Sequence, residues 1–299
     1  MDPAGGQLNS DDAPDVKAAD FDYVKPDSID RVYALIDEYG DDARILAGGQ
    51  SLLSALNLRL SEPRLLIDIG GLEQLRGIRL AGDRITIGAL TRHCEIETSP
   101  LIAKHAPLLA LAAPHIGHHA IRNRGTLGGS IAHADPAAEW PACVVALDAS
   151  IVLLSRRGER RVKADDFFRD LYTTAKAPDE IVMACEIPSA SGAMRYAFDE
   201  LARRRGDFAI VGLALAARVA AGKIEQARLV FFGTGNTPVR ARAAETALAG
   251  RGIDAAAIAA AEAALARELH PGGDLYHRAE TKQYLANVLM RRLLARIGA

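Results

Sequence analysis

The sequence predicts a mixed α and β protein built from two successive parts. Up to about residue 188, short apolar runs that fit strands alternate with segments whose apolar residues recur at helical spacing. Beyond that point two strand-like segments, 208–220 and 224–232, are followed by Ala-rich helical segments. Strands followed by helices are typical of an α+β domain. We therefore place a boundary near 185–195, ahead of a C-terminal α+β domain at 189–299.

Composition and charge exclude several classes of protein. The chain has 299 residues and a formal net charge of −2, which argues against a nucleic-acid-binding protein. No apolar run approaches the roughly 18 residues of a membrane span. The cysteines Cys94, Cys143 and Cys185 form no C-x-x-C pair, so thiolate zinc and iron–sulfur sites are not expected. Their sparse, odd number and the lack of a secretion signal predict a cytoplasmic protein.

An acidic segment precedes the part that should be ordered. Residues 2–20 hold five aspartates against one lysine, and Pro, Gly and Ala fill most of the remainder. Such a composition buries too little apolar surface to fold, so we expect a disordered acidic tail over 1–20. Order should begin near Phe21, with Ser28 capping a first helix that ends at Gly40.

The first part then alternates strands and helices. A strand at 44–47 leads into Gly48-Gly49-Gln50-Ser51, and leucines at helical spacing follow, so this glycine pair lies in a strand-to-helix turn. The other elements expected before residue 188 are a strand at 65–69, a hairpin of 78–80 and 85–87, helices at 101–113 and 137–147, and a strand at 151–154 that Gly158 turns back toward Val162.

The second part should end in three helices. Two are predicted at 241–249 and 255–269, the latter capped by Asp254. The last helix carries its apolar face on Leu285, Val288, Leu289, Leu293 and Ile297.

Two glycine-rich segments are candidate anion sites: Gly48-Gly49-Gln50-Ser51 and Thr126-Leu127-Gly128-Gly129-Ser130. Glycines let a phosphate approach backbone N–H groups, and a following helix N-terminus adds its dipole. Two such nests would hold a pyrophosphate from both sides. The alternative is that each pair only makes a tight turn. No P-loop motif and no G-x-G-x-x-G after a strand is present, so a dinucleotide would be bound by a non-Rossmann architecture.

Histidines and arginines near the second segment have two interpretations each. His115, His118, His119 and His133 have spacing compatible with a metal, but match no zinc signature, so we expect no metal site. They would instead cap a helix or line a cofactor cavity. Arg122 and Arg124 would pair either with a phosphate or with an acidic residue that holds the loop.

Three further features follow. Asp135 and Glu139 would accept hydrogen bonds from ribose hydroxyls or cap the next helix. Trp140 is expected in the core. The basic run Arg203-Arg204-Arg205 before Phe208 is either a solvated turn or a basic and aromatic pair that faces a flavin.

Together these segments resemble the FAD-binding medium subunits of molybdenum hydroxylases, the family of the carbon monoxide dehydrogenase medium subunit, which is similar to the flavin domain of xanthine dehydrogenase. The resemblance extends from about Phe21 to the C-terminus. The matching stretches are Ala47 to Leu53, His115 to Ser130, His133 to Glu139 and, more weakly, Arg205 to Ala209.

The resemblance implies a vanillyl-alcohol-oxidase/PCMH-type FAD-binding fold. Its FAD-binding domain, 21–188, would comprise two α/β subdomains split near residue 75. A small C-terminal α+β domain of the CO dehydrogenase flavoprotein type would follow at 189–299.

It also implies the residues that contact FAD. The backbone of 48–52 and of 126–130 would grip the pyrophosphate, and Leu171 and Phe208 would border the isoalloxazine. The family often has Asn in place of Ser130, and Tyr is also found in place of Phe208. The implied contacts are Ala47, Gly48, Gly49, Gln50, Ser51, Leu52, Leu53, Ile116, Ile121, Thr126, Leu127, Gly128, Gly129, Ser130, Asp135 or Glu139 toward the ribose or adenine, Leu171 and Phe208.

The implied function is that of an oxidoreductase subunit that transfers electrons. A large partner would carry a molybdenum–molybdopterin cofactor, and a small partner two [2Fe–2S] clusters that reduce this FAD, which then reduces an external acceptor. No residue of this chain is then expected to be catalytic. The alternatives are a self-sufficient flavin oxidase or dehydrogenase on the same fold, and an assembly subunit without flavin.

Overall fold

A computed structural model describes residues 18–298. The predicted acidic tail lies outside the described residues over 1–17, and residues 18–20 belong to no helix or strand. None of the helices in the described part of the chain combines the length and the apolar character that a membrane span requires.

A small parallel sheet opens the fold. Its strands are β1 (Asp22–Val24), β2 (Ala43–Leu46) and β3 (Leu65–Asp68), in the order β1-β3-β2, with helices α1 (Ile29–Tyr39) and α2 (Leu52–Asn57). The backbone N–H of Arg31 donates to Ser28 Oγ at 3.4 Å, which confirms the predicted cap. Helix α1 buries Val32 and Leu35 in one cluster with Leu65 and Ile67.

A five-stranded antiparallel sheet follows. The strands of this region are β4 (Ile78–Ala81), β5 (Arg84–Gly88), β6 (Ser150–Ser155), β7 (Gly158–Lys163), β8 (Phe168–Asp170), β9 (Thr173–Thr174) and β10 (Ile181–Pro188). The order in the sheet is β4-β5-β10-β6-β7, and β8 and β9 form a separate two-stranded hairpin. The helices are α3 (His93–Thr98), α4 (Pro100–His105), α5 (Pro107–Ala112), α6 (His119–Arg122), α7 (Leu127–His133), α8 (Glu139–Ala146) and α9 (Ala164–Phe167).

One prediction for this region was wrong, and the central strand of the sheet was missed. The single helix expected at 101–113 is two helices, because Pro107 has no N–H to continue α4 and begins α5 instead. Strand β10 was not predicted, although it pairs with both β5 and β6 at the centre of the sheet. The hairpin around Gly82 and the β6–β7 hairpin are confirmed.

The remaining residues form an α+β unit, as predicted. The elements are β11 (Met194–Leu201), which was not predicted, β12 (Val211–Ala220), β13 (Lys223–Phe232), β14 (Val239–Arg240), α10 (Arg242–Leu248), α11 (Ala255–Glu268) and α12 (Ala279–Gly298). The strands form one antiparallel sheet, ordered β11-β12-β13-β14, and the helices follow it. Asp254 caps α11, since its Oδ1 accepts the N–H of Ala257 at 2.7 Å. On α12, Leu289, Leu293 and Ile297 are buried as expected.

The C-terminal sheet shares a core with the five-stranded sheet. Phe198 and Phe232 stack with their ring centroids 5.8 Å apart, in one buried cluster with Trp140 and Ile151. Arg228 of β13 donates to the carbonyl of Val145 in α8 at 3.0 Å. Because the two parts pack so continuously, the division into domains at residue 188 stays a prediction.

Candidate FAD site

The first glycine-rich segment presents free backbone donors. It joins the end of β2 to α2, and Gly49 has φ +74°, a conformation that favours glycine. Among residues 18–298, no acceptor is hydrogen-bonded to the backbone N–H groups of Gly49, Gln50, Ser51 or Leu52. Such a run of unpaired N–H groups suits an anion. The Gln50 side chain stays within the loop, since its Nε2 donates to Gly48 O at 3.0 Å.

The second glycine-rich segment is hydrogen-bonded within the chain. The N–H groups of Leu127 and Gly128 donate to Thr91 O and Ala89 O at 3.0 and 2.8 Å. Those of Gly129 and Ser130 donate to Thr126 Oγ1 and Thr126 O at 3.2 and 3.1 Å, so Thr126 caps α7. A ligand would therefore meet the hydroxyls of Thr126 and Ser130 as its donors here.

The two segments lie directly against each other. A Cβ on Gly48 would lie 2.3 Å from Arg124 O and 2.7 Å from Gly125 Cα, closer than any real contact. A Cβ on Gly129 would lie 3.7 Å from Ala47 Cβ. Residues far apart in the sequence thus lie side by side, so the open N–H groups of the first segment and the hydroxyls of the second belong to adjacent segments.

Behind this surface His93 and Trp140 form a buried support. Trp140 Nε1 donates to His93 Nδ1 at 2.9 Å, and the backbone N–H of His93 donates to Gly125 O at 3.0 Å. Burial, with the nearby charge of Arg122, lowers the pKa of His93 to about 4, so its imidazole is neutral at pH 7. The prediction that Trp140 belongs to the core is confirmed.

The two arginines have different environments. Arg122 is buried, pairs with Glu97 through Nε at 2.8 Å, and donates to the carbonyls of Ile116 and Gly117 at 3.2 and 3.0 Å. It therefore holds the loop. The exposed Arg124 side chain makes no hydrogen bond or ion pair with any residue from 18 to 298, and its backbone contacts Gly48. Arg124 is thus the arginine that is left to meet a phosphate.

The four histidines do not converge. His115 packs edge-on against Phe198 at 5.1 Å, whereas His133 lies 5.0 Å from the ring of Tyr172. His118 contacts Gly206, and the ring of His119 lies 3.2 Å from the side-chain amide of Asn123. Over residues 18–298 no group of three or more metal-ligating side chains is found. The sequence expectation of no metal stays a prediction.

The two acidic candidates lie in different environments. Asp135 Oδ1 accepts the N–H of Ala137 at 2.8 Å, and Oδ2 accepts from Tyr172 Oη at 3.4 Å. It does not cap α8, whose N-cap is Ala138. Burial, followed by the charge of Glu200 and then of Asp135, raises the pKa of Glu139 to about 8. Asp135 is therefore the better acceptor for sugar hydroxyls.

Comparison with known proteins identifies the family. Residues 19–190 match the family described as the FAD binding domain in molybdopterin dehydrogenase, and 196–297 match the CO dehydrogenase flavoprotein C-terminal domain. The chain belongs to this flavoprotein family. The resemblance stated from the sequence, the PCMH-type fold and the FAD cofactor are thereby confirmed.

Relatives in this flavoprotein family match along nearly their whole length. The 6-hydroxypseudooxynicotine dehydrogenase complex subunit alpha of Paenarthrobacter nicotinovorans is 39% identical over 94% of this chain and 95% of its own. The caffeine dehydrogenase subunit beta of Pseudomonas sp. is 36% identical over 94% and 96%. A chain in a structure of Hydrogenophaga pseudoflava carbon monoxide dehydrogenase that lacks the Mo-pyranopterin moiety of the molybdenum cofactor has a TM-score of 0.91 at 37% identity, covering 94% and 98%.

In this flavoprotein, the residues expected at the isoalloxazine lie on two exposed loops. Leu171 is 49% exposed at the tip of the β8–β9 hairpin, and Phe208 is 69% exposed after the arginine run. Gly206 anchors the second loop, because a Cβ there would lie 3.0 Å from the His118 ring. Of the two isoleucines expected along the cofactor, Ile116 is buried and Ile121 is half-buried.

Sequence reasoning missed several residues that shape this flavoprotein's site. Each of these residues contacts a predicted site residue or shifts the pKa of one, but no local motif marks them. They are His93, Glu97, Tyr172 and Glu200. Only Tyr172 had a usable signal, since it directly follows Leu171 in a two-residue turn.

Proposed function

We propose that this chain is the FAD-binding electron-transfer subunit of a molybdenum hydroxylase. In such an enzyme, electrons from [2Fe–2S] clusters in a partner chain reach an external acceptor through this subunit. The observation that carries the proposal is the run of unpaired N–H groups from Gly49 to Leu52, packed against the second glycine-rich segment. This arrangement fits a pyrophosphate group, and the family is one that binds FAD.

Each part of the cofactor has residues suited to it. The N–H groups of 49–52 and Arg124 would hold the pyrophosphate, with the Thr126 and Ser130 hydroxyls opposite. Asp135 would accept from sugar hydroxyls, Ile116 and Ile121 would lie along the cofactor, and Leu171 and Phe208 would border its ring. When bound, FAD supplies the capacity to take up electrons from one partner and release them to another.

The partners we propose are a large molybdopterin-binding subunit and a small [2Fe–2S] subunit. Relatives bear the names of subunits or chains of dehydrogenases and a hydroxylase. Within this chain, Cys143 and Cys185 are buried, and burial raises the pKa of both thiols, so neither is disposed to bind metal as a thiolate. Free cysteines also support a reducing compartment such as the cytoplasm. We assign FAD binding to 21–188 and the C-terminal unit to 189–299.

The test is the cofactor content of the purified full-length chain. We expect visible flavin absorption, FAD as the compound released by heat, and co-purification of molybdenum and iron when the partner chains are co-expressed. A chain that is colourless and takes up no added FAD would contradict the proposal. FAD binding without any molybdenum or iron partner would instead favour a self-sufficient flavoenzyme.

A further inference from the structure

The β8–β9 hairpin has an unusual turn. Its two-residue loop is Leu171-Tyr172, and Tyr172 has φ +51°. A bulky side chain rarely adopts this left-handed conformation, and its surroundings must hold it there. Ala134, just before Asp135, also has a positive φ of +54°. One strained residue is therefore Tyr172 itself, and the other directly precedes its partner Asp135.

A hydrogen bond from the C-terminal unit holds the β8–β9 hairpin in place. Asp170 Oδ1 accepts from the Leu171 N–H at 2.8 Å and from Asn236 Nδ2 at 2.7 Å. Thr173 Oγ1 donates back to Leu171 O at 3.0 Å. These bonds set the direction of the turn independently of any contact made by the Tyr172 side chain.

The Tyr172 side chain points at one predicted cofactor contact. Its hydroxyl donates to Asp135 Oδ2 at 3.4 Å, and its ring lies 5.0 Å from His133 at an interplanar angle of 37°. The other Asp135 oxygen accepts the Ala137 N–H at 2.8 Å. Both oxygens are thus held by one donor each. A carboxylate has about four acceptor positions, so about two remain, enough for two neighbouring hydroxyls.

We infer that Tyr172 is a positioning residue that orients Asp135 to accept two adjacent hydroxyls of bound FAD. The inference rests on the proposed FAD-binding function and adds a residue to that site. Adjacent hydroxyls occur in two places in FAD, the ribose of the adenosine and the ribityl chain. The shared chemistry is a vicinal diol, and the experiment separates the two sources.

The test is a double-mutant cycle on the full-length chain, measured as the dissociation constant for FAD. Tyr172→Phe keeps the ring and the strained turn and removes only the hydroxyl. Asp135→Asn keeps an oxygen for the Ala137 N–H and removes the carboxylate. We expect Tyr172→Phe to weaken FAD binding about two- to fivefold, the lower part of the range for one lost hydrogen bond, because 3.4 Å is long for an O–H···O contact. We expect Asp135→Asn to weaken it further, and the double variant to match Asp135→Asn alone.

A merely structural tyrosine would behave differently. Its loss would lower the unfolding temperature of the FAD-free chain, and its effect on FAD affinity would persist in the Asp135→Asn background. Tyr284→Phe, at a tyrosine 63% exposed on α12, is the matched control and should leave affinity unchanged. Unchanged affinity in Tyr172→Phe, or additive effects in the double variant, overturns the inference. A wild-type chain that binds no FAD overturns the proposed function as well.

Two FAD fragments identify the diol. ADP contains the ribose without the ribityl chain, and FMN contains the ribityl chain without the adenosine. If Tyr172→Phe weakens binding of FMN and not of ADP, Asp135 holds the ribityl hydroxyls. If it weakens ADP and not FMN, Asp135 holds the ribose. Unaltered binding of both fragments and of FAD contradicts the inference.

Discussion

In the first glycine-rich segment the N–H groups of residues 49–52 have no acceptor within 18–298, whereas in the second the N–H groups of 127–130 all have one. Both segments lead into a helix and contain a glycine pair, and the sequence presents them as equivalent. Gly49 has a positive φ, and Gly128 does not. A Cβ on Gly128 would lie 2.3 Å from Ala89 Cβ, in the protein interior.

This difference shows that glycine serves two purposes in one site. In the first segment it permits a backbone conformation that exposes donors to a ligand. In the second it permits α7 to pack against the strand-to-helix connection at Ala89. The first segment should therefore govern FAD affinity, and the second should govern the stability of the surface on which the first segment lies.

Gly49→Asp should have the largest effect on FAD binding. The new carboxylate would stand among the open donors and repel a pyrophosphate. Charge-assisted hydrogen bonds contribute about 1.5–3 kcal/mol each, so loss of two weakens binding on the order of 100-fold or more. Titration of the FAD-free chain with FAD measures this. Gly250→Asp is the matched control, since Gly250 has φ +75° and open space around it. Equal affinities in the two variants would contradict an anion site at 48–52.

Gly128→Ala should have the next largest effect, on stability. The added methyl would meet Ala89 Cβ at 2.3 Å and Ala89 O at 2.8 Å, and both atoms belong to a buried residue. Overpacking of this kind costs about 1–3 kcal/mol. Thermal unfolding of the FAD-free chain should therefore shift to lower temperature, with Gly192→Ala, where nothing lies within 4 Å, as the control. A variant that unfolds like the wild type but has lost FAD binding would instead make the second segment a direct ligand contact.

The sequence was sufficient for features that depend on neighbouring residues. Ser28, Asp254 and the turn from β2 to α2 were all predicted, because caps and turns are decided within a few positions. The family resemblance then predicted that the cofactor is FAD. Strand β10 contains an apolar run, 181–185, that fits a buried strand, and it was missed. Its pairing with β5 and β6 could not be predicted, because they lie far away along the chain and such pairing leaves no local pattern.

The same limit applies to the candidate site. Whether Arg122 meets a phosphate or an acid depends on Glu97, which lies 25 residues earlier. Whether the N–H groups of the second segment are free depends on the carbonyls of Ala89 and Thr91. These partners are brought in by the packing of α3 and β5, so the sequence could suggest both nests without showing that only one is open.

Arg124→Ala should have a smaller effect, and only on affinity. Arg124 is exposed and has no partner within 18–298, so its removal should leave the unfolding temperature unchanged. Solvent screening limits an exposed ion pair to about 1 kcal/mol, which corresponds to about fivefold weaker FAD binding. Raising the salt concentration should reduce the difference in FAD affinity between wild type and variant. Arg79→Ala, at an exposed arginine of β4, serves as the control. A difference in affinity that does not depend on salt would contradict a role in binding phosphate.

The smallest effect at neutral pH is expected from His93, which with Trp140 forms the buried support behind the second glycine-rich segment. His93 has a pKa lowered to about 4, against 6.5 for the unfolded chain, so the unfolded state binds more protons between these values. Stability from neutral His93 is therefore complete above pH 6.5 and is lost as the pH falls toward 4.

Protonation of His93 also removes the acceptor of the Trp140 N–H. Since Trp140 is the one tryptophan in the sequence, its fluorescence should change with a midpoint near pH 4 while the helical circular dichroism persists. His93→Leu should abolish that transition. A midpoint near 6.5, or a transition that survives the substitution, would mean that the second segment does not depend on a neutral imidazole.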